Sequence, residues 1–171
     1  LDFIHKPDST ITLREYVAKL IQVFDDNAMV GFAFLVASLF RDVIYPVKDS
    51  FPILNLFGPP NSGKTALGTS LMAFFHPVSE PSKVYNTTVP SLNQMLSRVA
   101  NAIEILDEYK NDVPMRMIEL IKGVWGGKGQ TKTDPATKKI IDTFFTCSLI
   151  ICGQEMPTID PALFTHVVHL S

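Results

Sequence analysis

Eight consecutive residues, Gly58-Pro59-Pro60-Asn61-Ser62-Gly63-Lys64-Thr65, follow the spacing G-x-x-x-x-G-K-[ST] of a phosphate-binding loop. Glycines at the two fixed positions let the backbone turn tightly, so that successive N–H groups converge on a phosphate. A helix opening at Gly63 would add the positive end of its dipole. In this pattern Lys64 neutralises the β- and γ-phosphates of a nucleoside triphosphate and Thr65 offers its hydroxyl to Mg²⁺. ATP and Mg²⁺ are the cofactors so implied.

Hydrolysis needs more than binding: an acid that orients the metal and a base that orients water. Ile103-Glu104-Ile105-Leu106-Asp107-Glu108 supplies both, because an acid at the C-terminal end of a parallel strand lies where ligands of such sheets gather. Asp107 is the expected Mg²⁺ ligand and Glu108 the group that polarises an attacking water. Glu104 alternates onto a strand face and reads as a salt-bridge partner. A later apolar run ends in Cys152-Gly153-Gln154-Glu155-Met156-Pro157. There Gln154, which both donates and accepts, is the candidate γ-phosphate sensor.

These residues require a scaffold of strands with crossover helices. Short apolar runs at Phe51–Phe57, Lys83–Asn86, Ala102–Leu106, Phe144–Cys152 and Phe164–Leu170 alternate with helical patterns near 63–75, 91–100 and 114–124. That alternation predicts an α/β fold with a five-stranded, mainly parallel sheet. By its resemblance to hydrolysing P-loop enzymes, in many of which this strand lies between the P-loop strand and the acid strand, the strand ending in Gln154 is expected there. Ahead of the sheet, Leu13, Val17, Leu20, Ile21 and Phe24 share one helix face. Ser9 and Thr10 can cap that helix. Asn27 can cap a second, apolar helix ending near Tyr45–Pro46, so residues 1–50 read as a tail and a helical hairpin and residues 51–171 as the core.

Composition narrows the classes. The chain has 171 residues, 46% hydrophobic and 19% charged, enough apolar side chains to build one domain and too few charges for a disordered one. The apolar run from Ala28 to Phe40 is 13 residues long between Asp26 and Arg41. A membrane span needs roughly 20, so it reads as a packing helix and no membrane partner is expected. Cys147 and Cys152 form neither a disulfide framework nor a zinc pattern, which points to packed thiols, no zinc and a cytoplasmic setting. His166 and His169 would face opposite sides of a strand and are no metal pair. Net charge is −2, yet residues 110–139 hold seven Lys/Arg against three Asp/Glu, so any nucleic-acid contact should come from this segment. Within it, 130–133 and 137–141 can pair as a hairpin turning at Asp134-Pro135.

With these residues in place, the chain from about 28 to 171 resembles the superfamily 3 helicase branch of the AAA+ P-loop ATPases, especially phage and mobile-element primase-helicase modules. The resemblance implies an ATP-hydrolysing motor, a homo-oligomeric ring and movement along single-stranded DNA. Lys128, Lys132, Lys138 and Lys139 fall where that branch carries a DNA-gripping hairpin, although no aromatic residue lies within 126–139 to stack a base. Gln154 stands where the branch usually has Asn. His166 stands where many AAA+ chains have an arginine that reaches the neighbouring subunit's nucleotide, and a neutral imidazole does not replace that charge. The family's C-terminal lid would follow the fifth strand, so a motor core cut before its lid is expected.

Other classes remain compatible with the same residues: a protein-remodelling or loader ATPase, and a weakly active nucleotide-binding assembly module. A GTPase is disfavoured, because no N-K-x-D sequence is present.

Overall fold

A computed structural model describes residues 10–75, 80–133 and 140–171. Five strands form one sheet in the order β2-β3-β6-β1-β7, where β1 is Ile53–Phe57, β2 Ser82–Lys83, β3 Ala100–Tyr109, β6 Thr146–Gly153 and β7 Val167–Leu170. Every pairing in it is parallel. The expected α/β sheet is present, and β6 lies between β1 and β3 as anticipated.

The central strands are apolar on both faces because helices cover both. Ile53, Leu54, Ile103, Leu106, Leu149, Ile150 and Ile151 are all fully buried. Each such side chain contributes roughly 1.5–3 kcal/mol relative to exposure, so the sheet centre fixes the register that aims the strand ends. Phe57, Gly153 and Tyr109 lie side by side at one edge of the sheet. The loops that follow β1, β3 and β6 therefore leave from the same edge.

The leading helical segment differs in detail from the expectation. Helix α1, Leu13–Leu39, is broken at Asp25, whose φ of 47° and ψ of −131° are not helical. Tyr16 donates to the Ser70 carbonyl at 2.7 Å, Phe24 lies against Gly63, and Gly31 lies against Leu67 and Leu71. The chain thus runs down α3 (Lys64–Met72) and returns along it, a hairpin whose turn is one residue rather than a loop. Its cap is Thr12 rather than Thr10, Ser9 lying outside the described residues: Glu15 N donates to Thr12 Oγ1 at 3.2 Å and Thr12 N to Glu15 Oε2 at 2.8 Å. The reason is the Thr12-x-x-Glu15 spacing, which satisfies both backbone donors reciprocally. By length and composition α1 would suffice to cross a membrane. Its second half instead packs Ala28, Gly31, Phe34, Leu35 and Ser38 into the core.

The second helix does not continue to Tyr45 but ends at Leu39. Helix α2, Arg41–Lys48, starts anew after Phe40 and carries Pro46 internally. Arg41 is 2% exposed, donates to the carbonyls of Val124 at 2.6 Å and Phe145 at 3.3 Å, and lies 4.8 Å from the Phe51 ring centre. Helix α4 (Val89–Ser97) begins earlier than expected, with Thr88 as cap and Pro90 in its first turn. Helix α5 is Met115–Trp125 and the short α6 Pro161–Thr165. Residues 84–86 form a single 3₁₀ turn rather than a strand.

A separate antiparallel pair, β4 (Lys128–Thr133) and β5 (Ile140–Phe144), projects from α5. It is longer than the sequence pattern indicated, because Lys128 already pairs with Phe144. The proposed turn at Asp134-Pro135 lies outside the described residues.

Candidate functional site

The P-loop takes the strained backbone its glycines permit. Gly58 has φ 143° and Gly63 φ 85°, and Asn61 supplies a third left-handed residue at φ 61°. Pro59, Pro60, Asn61 and Ser62 fill the turn between β1 and α3. The Lys64 ammonium bridges it, donating to the Pro59 carbonyl and, at 3.0 Å, to Ser62 Oγ. An ammonium held across the loop at the start of a nine-residue helix makes the loop attractive to anions.

Asp107 meets this loop directly. Thr65 Oγ1 donates to Asp107 Oδ2 at 3.0 Å, and Glu108 N donates to Asp107 Oδ1 at 2.8 Å. The hydroxyl and the carboxylate are both hard oxygen donors, the type Mg²⁺ takes. The residues present therefore fit a Mg²⁺–triphosphate.

Glu108 is placed by an irregularity. The register of β3 on β6 shifts between Leu106 and Tyr109, and Glu108 adopts φ 60°. A non-glycine residue in that region is uncommon and costs energy. Its carboxylate turns toward β2 and pairs with Lys83 Nζ at 2.8 Å. The hydrogen bond and charge of Lys83 hold Glu108 below the usual carboxylate range, and Glu108 in turn raises Lys83. Both side chains remain well exposed, at 39% and 40%. The carboxylate is therefore ionised and accessible, but directed along the sheet edge.

Gln154 follows β6 and is exposed at the same edge. Its neighbour Glu155 accepts from Asn111 N at 2.8 Å, while Asn111 also donates to Thr158 Oγ1 and accepts from Ile159 N. Asn111 so fastens the loop after β3 to the loop after β6. No Cβ fits at Gly153, because it would stand 2.4 Å from the Tyr109 carbonyl oxygen. That close approach keeps the two loops together.

Residues that sequence reasoning did not select also border the P-loop. A cleft beside Gly63 and Lys64 is lined by Phe24, Asn27 and Leu170. Asn27 Nδ2 donates to the Ser171 carbonyl at 2.8 Å, tying the break in α1 to the end of the sheet. The available signal was Asp25-Asp26-Asn27, three polar residues between two apolar helical stretches.

Other singled-out residues lie elsewhere. Arg98 grips buried Glu104 through two bonds of 2.9 and 3.0 Å, the expected ion pair. His166 precedes β7 and stacks flat on Trp125, ring centres 4.4 Å apart. Burial and Lys122 depress its pKa against the opposing pull of Asp160. This imidazole is turned into its own fold. His169 contacts Nδ2 of buried Asn55 at 3.1 Å. Cys147 and Cys152 are buried free thiols whose pKa burial raises. Lys128 is exposed on the hairpin. Lys138 and Lys139 lie outside the described residues, as does the side chain of Lys132.

No family model matches the sequence, and no curated protein matches it. Among solved structures the chain is similar to JCV helicase, determined with a phenoxyphenyl acetamide ligand: TM-score 0.51, 14% identity, covering 94% of this chain and 45% of the helicase chain. The protein thus spans less than half the length of that helicase, and what the two share is a helicase-like α/β fold.

Proposed function

We propose that the protein is a Mg²⁺-dependent ATPase of the superfamily 3 helicase type, a motor core that works as a homo-oligomeric ring on single-stranded DNA. The single observation that carries the hydrolytic part is the contact of Thr65 with Asp107. It brings the end of the P-loop and the end of the acid strand to hydrogen-bond distance across 42 residues of chain.

In this reading the loop amides from Asn61 to Thr65 and the Lys64 ammonium hold the β- and γ-phosphates, and Lys64 exchanges its bonds to Pro59 and Ser62 for phosphate oxygens. Thr65 and Asp107 would hold Mg²⁺, which would supply neutralisation of phosphate charge. Phe24 and Asn27 border the cleft into which the base would extend. Glu108 orients a water and takes its proton, Gln154 meets the γ-phosphate, and Lys128, Lys132, Lys138 and Lys139 follow the DNA backbone.

The test is ATP turnover measured with and without Mg²⁺ and with and without oligo-dT. The expected result is metal-dependent hydrolysis that oligo-dT stimulates and that Asp107→Asn abolishes. Turnover indifferent to Asp107→Asn would remove the assignment. Stimulation by protein substrates and not by DNA would favour a remodeller.

The Lys83–Glu108 pair sets a pH dependence. A general base must be deprotonated, and Lys83 keeps the Glu108 pKa low. Lys83→Met removes that influence, so the folded-state pKa rises and the acid limb of the turnover–pH profile moves to higher pH. A profile unchanged in Lys83→Met would show that Glu108 is not the titrating group.

A further inference from the structure

The basic hairpin looked deficient for nucleic acid in one respect: residues 126–139 contain no aromatic side chain. The tertiary structure changes this, because the hairpin reaches Phe144 and pairs it with Lys128. Residues directly opposite in an antiparallel pair share a face, and residues two apart along a strand do too. Phe144, Asp142 and Ile140 therefore lie on one face of β5, and Lys128 stands opposite Phe144, beyond a register shift that separates it from Thr131.

Phe144 is 64% exposed and Ile140 70% exposed, whereas the next residue, Phe145, is 2% exposed. Phe145 is fixed from several sides. Its N–H donates to Gly127 O at 3.0 Å, its carbonyl accepts from Arg41, and its ring lies so close to Gly129 that a Cβ there would be 2.9 Å from it. The backbone that carries Phe144 is thus anchored in the core, and the ring is held outward in solvent rather than left on a loose end.

Charge chooses the occupant. Among the described residues Lys128 makes no ion pair, and the acid on the same face, Asp142, accepts a 2.7 Å bond from Thr131 Oγ1. An aromatic face with an uncommitted ammonium across the ladder suits a base on the ring and its phosphate on the lysine. A purely apolar partner would leave Lys128 without a counter-charge.

We propose that Phe144 is a base-stacking residue for single-stranded DNA and that Lys128 holds the phosphate beside it. This rests on the single-stranded DNA reading of the hairpin and adds a contact of different chemistry. The two contacts differ in their salt dependence, since stacking releases no counterions.

Anisotropy of fluorescent oligo-dT, titrated over a range of salt with the whole chain, separates them. Phe144→Ala is expected to weaken binding roughly 5- to 150-fold, the range measured for loss of one stacked base, with the slope of log K against log salt unchanged. Phe144→Tyr, which keeps the π-face, should bind within about twofold of the original protein. Lys128→Ala should flatten the slope by about 0.7. Wild-type binding with Phe144→Ala equally tight overturns the stacking role and leaves the DNA reading standing. No binding by the wild-type chain overturns both. If Phe144→Ala lowers the sedimentation coefficient and its affinity loss vanishes when compared at equal assembly, the ring serves contacts between copies of the chain and the proposal fails.

Discussion

Replacing Glu108 by Gln is expected to lower ATP turnover by about 10²- to 10⁴-fold, the usual contribution of a positioned general base, while nucleotide affinity stays nearly unchanged. The two effects separate because, among the described residues, the Glu108 carboxylate pairs with Lys83 and not with the loop proposed to bind phosphate. Thr65 and Lys64 bond to Asp107, Pro59 and Ser62, whereas Glu108 pairs with Lys83. An amide in place of the carboxylate keeps the shape and removes both the basicity and the charge that Lys83 now answers. Single-turnover hydrolysis and equilibrium binding of a fluorescent ATP analogue would check it. A variant that turns over at the original rate would move the base elsewhere, the exposed Glu155 in the loop after β6 being one alternative. A variant that loses binding as well would show that Glu108 acts by shaping the loop.

The strain at Glu108 gives this prediction a structural companion. Its left-handed φ exists because β3 shifts register on β6 between Leu106 and Tyr109. In a regular strand, Asp107 and Glu108 would face opposite sides of the sheet. The irregularity lets neighbouring acids serve one edge, Asp107 toward Thr65 and Glu108 toward Lys83.

Replacing Arg41 by Ala is expected to destabilise the fold by about 2–4 kcal/mol, as the buried carbonyls of Val124 and Phe145 lose their donor and a cavity opens against Phe51. The guanidinium is itself costly to bury: its Nη1 has no partner among the described residues and burial lowers its pKa. Arg41→Met removes that desolvation cost and keeps much of the volume, so its loss should be smaller than that of Arg41→Ala. Chemical denaturation with a constant slope would measure both. Equal stability of Arg41→Ala and the original protein would show that water takes over the two carbonyls. Because Arg41 bonds the residue after Phe144, Arg41→Ala should also loosen the hairpin base, visible as faster amide exchange near 127–129 and 144–146.

The sequence by itself determined the sheet, the P-loop and the acid strand, because each is local. A phosphate loop must have its glycines at fixed spacing, buried parallel strands must be continuous apolar runs, and an acid at such a strand's C-terminal end is legible without knowing what packs on it. Glu104 was legible for the same reason: a charge inside a buried strand requires a counter-charge, and Arg98 is six residues away. Element ends were less legible, since a break such as that at Asp25 depends on α3 receiving both halves of the helix.

What only the tertiary structure decided concerns residues whose meaning is set by distant partners. Arg41 reads in sequence as the polar end of an apolar run, yet it is buried because two carbonyls 83 and 104 residues away converge on it. His166 reads as a stand-in for a trans-acting arginine, but Trp125 lies parallel to it and draws it inward. Lys83 carries no motif and becomes the partner of Glu108 only because β2 joins the outer edge of β3. Phe144 read as the start of a buried strand and is instead the exposed end of a ribbon, since Phe145 takes the core position. Local spacing encodes which atoms are available; which of them meet is fixed by burial summed over the whole core, which no short window of sequence contains.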